Sequence, residues 1–175
     1  MKFRYAILIL ISSIVVQTSF VRLLDLPPFG FNLALVALFL LCYYLPFEKI
    51  LILAIAMGIS IDLFSSISFG STSLAAISAF SLSFYLRENI LKGGRLSDLF
   101  LNSLITFFAF YLLLSAADIF LRPSADTAGI FNLIDFDLIK EILLNCAACV
   151  FAFYLAEYYK NRKRYGYARN IKISS

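Results

Sequence analysis

The stretch AIAMGISIDLFSSISFGSTSLAAISA, Ala54 to Ala79, decides how this chain is read. It sets one carboxylate, Asp62, inside an otherwise uncharged run, with Gly58 one helical turn before it and Gly70 eight residues after it. A carboxylate at membrane depth costs at least about 2.5 to 3.5 kcal/mol on insertion scales, so it is rarely left facing lipid. Ala54, Gly58 and Asp62 follow one another at intervals of four and share a helix face, a small-residue stripe that a second helix can approach closely. Gly70 is the natural point for a positive backbone dihedral or a close helix approach in the uncharged turn from Ser65 to Ser71. The stretch therefore predicts an antiparallel helical hairpin at the centre of a bundle, with the other helices packed around it.

Working outward, the composition supports that environment. Of 175 residues, 62% are hydrophobic and 15% are charged, too apolar a balance for an ordinary water-soluble domain. Six apolar stretches stand out: Tyr5 to about Leu24, Phe31 to Leu45, Ile50 to about Phe64, Thr72 to about Leu86, Leu99 to Leu121, and Leu138 to Tyr159. Pro27, Pro28 and Gly30 break the first from the second, Pro46 the second from the third, and Arg122 to Asp137 forms the longest loop. The fold predicted is all-α, a polytopic integral membrane bundle of six transmembrane helices filling residues 1–160, followed by a basic tail over 161–175. The first stretch follows Lys2 and Arg4 like a secretory signal, but it has no small-residue cleavage site and reads as a retained span.

The basic residues orient the spans. Of fifteen Lys and Arg, all but Arg22, Arg122 and Lys140 fall on one side if both termini are cytoplasmic, the asymmetry that positive-inside topology requires. The tail after Lys160 follows directly on an apolar helix. Its charge, within a net +4 for the chain, is accordingly read as an anchor to anionic lipid and not as a nucleic-acid surface.

Polar side chains inside the spans are the candidates for helix packing or partner binding. Gln17 in the first span seeks a hydrogen-bond partner on a neighbour. Glu141, Asn145, Ala148, Ala152 and Ala156 share one face of the last span. With the helices antiparallel, Asp62, Asp118 and Glu141 collect toward the outer surface, where an ion-pair network with Arg22, Arg122 or Lys140 is expected, a partner-docking or ligand site being the alternative. Catalysis is not. The chain has no His, and no Ser, Lys and Asp cluster has a recognisable spacing. Cys146 and Cys149 are spaced CxxC on an apolar helix without further ligands and read as small packing residues, so neither metal nor cofactor is expected.

The run GISIDLFSSISFGSTSLA, Gly58 to Ala75, resembles the signature of the rod shape-determining MreD family: a Gly, an Asp-Leu pair about four residues on (Asp62, Leu63), a short Ser-containing turn (Ser65, Ser66) and a Gly opening the next helix (Gly70). Gln17 with Thr18 and Ser19 is similar to the family's Gln-Ser/Thr element. Where the family often has Pro-Asp at the start of its second span, this chain has Phe31 and Asn32, and Asn keeps a hydrogen-bonding side chain there. The resemblance implies a noncatalytic inner-membrane scaffold of the bacterial elongation machinery. Its implied partner is the bitopic protein MreC, in an assembly that couples MreB filaments to peptidoglycan synthesis by RodA and its transpeptidase. It also implies a fold similar to the substrate-binding subunits of energy-coupling-factor vitamin transporters, and membership of such a transporter is the alternative. That alternative predicts an outward-facing cavity lined by polar and aromatic side chains; a scaffold predicts close helix packing and a groove for a partner segment.

Overall fold

A computed structural model describes residues 3–23, 32–63, 69–91, 96–121 and 136–171, and within them the chain forms six α-helices and no strand. They are α1 (Phe3–Leu23), α2 (Leu33–Cys42), α3 (Phe47–Asp62), α4 (Ser71–Asn89), α5 (Leu96–Leu121) and α6 (Phe136–Ile171). Pro46, in extended conformation, starts α3, where its missing N–H is no loss because the first amides of a helix have no intrahelical acceptor. Gly70 starts α4 with φ +94°, the left-handed backbone for which glycine lacks a steric penalty. The basic segment after Lys160 continues α6 as far as Ile171.

Among the described residues, two helices are long and apolar enough to cross a membrane, through Leu96–Ala117 and Leu138–Tyr158. The second expected span is different. Its helix has ten residues, about 15 Å at 1.5 Å per residue, against a hydrocarbon core of about 30 Å. This short helix is the most enclosed element: every residue of α2 except Leu33 and Leu40 is buried, and it packs against α1, α3, α4 and α6. Around it the neighbours follow in the order α1, α3, α4, α5, α6.

The antiparallel α3–α4 pair forms as the sequence predicts, but not at the centre. It belongs to the wall of the bundle, with Ile52, Ile55 and Ile59 of α3 and Leu74, Leu82 and Tyr85 of α4 exposed outward. The reason lies in composition. An amphipathic or mixed helix has a face to expose, whereas LALVALFLLC is apolar all round and is best placed where every side meets protein. Its Phe39 stacks obliquely on Phe107 of α5 with centroids 5.5 Å apart, and Ala6 and Leu10 of α1 close the opposite flank of the core.

Candidate functional site

The candidate residues resolve into two clusters of hydrogen bonds at helix starts, both at the end of the bundle where α1 and α3 finish. In the first, Asp62 is the last residue of α3 and is 5% exposed. Its Oδ2 accepts from the Gly70 amide at 2.9 Å and its Oδ1 from the Thr72 amide at 3.3 Å. Gly70 has no side chain with which to cap α4, and the carboxylate of the preceding helix takes that role. Negative charge at a helix start is also favoured by the helix dipole. Among the described residues, Asp62 thus meets backbone amides. Asp118, Arg22 and Arg122, which completed the expected outer ion-pair network, lie outside the residues whose side chains are described.

One turn before Asp62, Gly58 lets the two helices touch. A Cβ built on it would stand 2.6 Å from the Ser73 backbone nitrogen and collide with the Ser73 Cα. Ala54, fully buried, continues the same face of α3. Among the described residues, the hydroxyls of Ser71, Thr72 and Ser73 have no partner. Elsewhere a helical hydroxyl is satisfied by the carbonyl one turn earlier, as Ser60 is by Ala56 at 2.7 Å and Ser81 by Ile77 at 2.7 Å. In the first turn of α4 no preceding helical carbonyl exists to accept.

The second cluster holds the start of α2. Asn32 caps its own helix, its Oδ1 accepting from the Leu35 amide at 3.0 Å. The Ala34 amide donates to Gln17 Oε1 of α1 at 3.0 Å, and the Asn32 amide donates to Asn145 Oδ1 of α6 at 3.0 Å. Side chains from three elements therefore satisfy three amides that α2 cannot satisfy itself. From Asn145 the network continues outward. Its Nδ2 lies 3.4 Å from the Tyr111 hydroxyl of α5, and that hydroxyl donates in turn to Glu141 Oε1.

The opposite end of α2 is tied as well. Arg87 of α4 donates to the Cys42 carbonyl, lies over the Phe84 ring at 4.5 Å and pairs with Glu88 at 3.2 Å. A cation at a helix C-terminus complements the dipole. Next to it, Asn102 of α5 donates to the hydroxyls of Tyr43 and Ser83, each at 3.2 Å. The role of Arg87 escaped the sequence reading because its charge falls in the most basic loop region, where solvation is the ordinary outcome. Asn102 and Ser83, polar residues set in apolar helices, carried the same signal as Gln17.

The seven residues expected to serve packing or partner contacts do not form one site. Ala54, Gly58, Asp62 and Gly70 belong to the hairpin, and Gln17, Asn32 and Asn145 to the start of α2. In both clusters side-chain oxygens accept from backbone amides at the start of a helix. Cys42, Cys146 and Cys149 are free and buried. Among the described residues, no three His, Cys, Asp or Glu side chains converge as metal ligands. The cavities between α5 and α6 are apolar surface grooves, one of about 330 Å³ between Leu104, Phe108, Ile139 and Leu143. Comparison with models of known families, with curated proteins and with solved structures finds no match to this chain.

Proposed function

We propose that this chain is a noncatalytic, multi-pass scaffold of the bacterial inner membrane, of the rod shape-determining MreD type, that binds the single-span protein MreC. Through MreC it helps couple MreB filaments to peptidoglycan synthesis by RodA and its transpeptidase. Both termini are cytoplasmic in this reading, so the hairpin turn and the start of α2 lie toward the periplasm.

The observation that supports it most is how the Gly58–Asp62–Gly70 motif is used. Gly58 is consumed by helix contact, Gly70 by a left-handed turn, and both carboxylate oxygens of Asp62 by backbone amides. A motif spent wholly on holding two helices in register is what a packing signature requires, and it leaves no group for turnover. The outward apolar side chains, among them Leu8 at 66%, Leu63 at 67% and Phe151 at 65% exposed, suit contact with lipid. α2 alone is too short to span, and enclosure by its neighbours removes that requirement.

The test is co-purification in detergent of the full-length chain with MreC from cells expressing both. Stoichiometric recovery with the wild type, lost in Gly58→Leu, is the expected result. Equal recovery with both would sink the hairpin's role, and no recovery with either would sink the scaffold reading. A copurifying ATPase pair in place of MreC would instead establish the transporter alternative.

A further inference from the structure

We propose that the seam between α5 and α6 binds one acyl chain of an anionic phospholipid, with the headgroup at the end marked by Leu96 and Tyr154. This rests on the inner-membrane reading above and deepens it from general contact with lipid to one seated lipid.

The seam is continuous. Two grooves lie along it, the one of about 330 Å³ between Leu104, Phe108, Ile139 and Leu143, and a second of about 380 Å³ lined by Leu96, Phe100, Ala147 and Tyr154. Their linings continue one another: Leu96, Phe100, Leu104 and Phe108 repeat every four residues along α5, and Ile139, Leu143, Ala147 and Phe151 do so along α6. Residues four apart share a helix face, so the two grooves follow each other within a single turn of both helices. From Leu96 to Phe108 the seam runs about 18 Å, at 1.5 Å per residue. One leaflet of the hydrocarbon core is about 15 Å deep, so an acyl chain can lie along the seam for its full depth in that leaflet.

The lining decides between occupants. α5 keeps its polar side chains Asn102, Ser103 and Thr106 buried. Among the described residues lining the grooves, only Tyr154 carries a polar side-chain atom, and it stands at the headgroup end. Phe100, Phe108 and Phe151 are exposed along the seam, which is therefore open from outside the bundle. A second transmembrane helix associates through small or hydrogen-bonding residues. The seam offers one small residue, Ala147, among large apolar ones, and a flexible hydrocarbon chain needs none.

Charge then fixes which lipid and which way round. In sequence, Lys92, Arg95, Lys160, Arg162, Lys163 and Arg164 flank the Leu96–Tyr154 end, against two carboxylates, Asp98 and Glu157. At the Phe108–Ile139 end the balance is reversed: from Asp118 to Glu141 the sequence holds five acidic residues against Arg122 and Lys140. An anionic headgroup is favoured at the basic end. In the topology proposed above that end is cytoplasmic, and the lipid belongs to the inner leaflet.

The experiment is native mass spectrometry of the full-length chain in detergent, equilibrated with equal amounts of phosphatidylglycerol and phosphatidylethanolamine of the same acyl composition. The wild type is expected to retain one phospholipid per chain, with phosphatidylglycerol preferred by at least about five-fold, the gain from one basic side chain near the headgroup. Ala147→Phe, which fills the seam near its middle, should lose the lipid. Leu144→Phe, on α6 but outside both linings, should keep it. A melting curve by circular dichroism checks that Ala147→Phe is folded, and the headgroup preference of the wild type needs no variant. Equal retention by Ala147→Phe and the wild type, equal uptake of the two headgroups, or a wild type that holds no lipid as monomer or dimer would overturn the seated lipid and leave the membrane scaffold standing. A chain that fractionates as a soluble protein would remove both.

Discussion

Three residues of the hairpin fail for three different reasons, and their variants separate them. Asp62→Asn keeps one acceptor for the two amides at the start of α4, so it should lose about 1 kcal/mol, and Asp62→Leu, which strands both, about 2 to 4. Thermal unfolding in detergent, followed by circular dichroism, reads the order. Gly58→Ala should lose about 1 to 3 kcal/mol by overpacking, and Ser73→Gly should not rescue it, because the Ser73 Cα and backbone nitrogen obstruct the methyl as well as the hydroxyl does. Rescue would show that the helices can part. At Gly70, with φ +94°, a Cβ meets nothing within 4 Å among the described residues; Gly70→Ala should therefore cost about 1 to 2 kcal/mol by conformation, with Gly70→Asn milder. At this scale the sequence was most legible. Gly-x-x-x-Asp followed by a lone Gly announces a tight turn with a carboxylate to satisfy. What it could not announce was the acceptor's partner, since amides eight and ten residues away become neighbours only once the turn is made.

Among the helices, α2 depends most on its surroundings. Its start is held by Gln17 from α1 and Asn145 from α6, so each of Gln17→Leu and Asn145→Leu strands one amide and should cost about 1 to 3 kcal/mol. Because both act on one helix end, the double variant should fall short of the sum by at least about 0.5 kcal/mol. Strict additivity in a double-mutant cycle would mean that the two bonds are independent. The sequence indicated that Gln17 and Asn145 face the bundle interior, yet it put the α3–α4 hairpin at the centre, because six apolar stretches of similar standing do not show which one is enclosed. Burial on all sides is a tertiary property, and uniform hydrophobicity reads the same whether lipid or protein surrounds it. The length of α2 was overestimated for the same reason: Phe31 to Leu45 is uninterrupted in hydropathy, and the helix stops at Cys42 where Arg87 takes its carbonyl.

For the molecule as a whole, the basic residues predict sidedness that the helices can report. In a variant lacking Cys42, Cys146 and Cys149, a single cysteine at Phe69, 67% exposed beside the hairpin turn, should react with an impermeant maleimide outside intact cells or spheroplasts. One at Ile90, 63% exposed at the other end of α4, should react only after permeabilisation. The reverse pattern would invert the proposed topology. The number of helices and the two long apolar ones followed from hydropathy; their neighbours did not, because a single chain records which segments are apolar but not which of them touch. The bond between Asn32 and Asn145 joins residues 113 positions apart. At a synthesis rate of about 5 to 20 residues per second, the ribosome delivers the second asparagine some 6 to 23 s after the first. Throughout that interval the Asn32 amide lacks its acceptor, so the most enclosed helix can be held at its start from both sides only once α6 has been made.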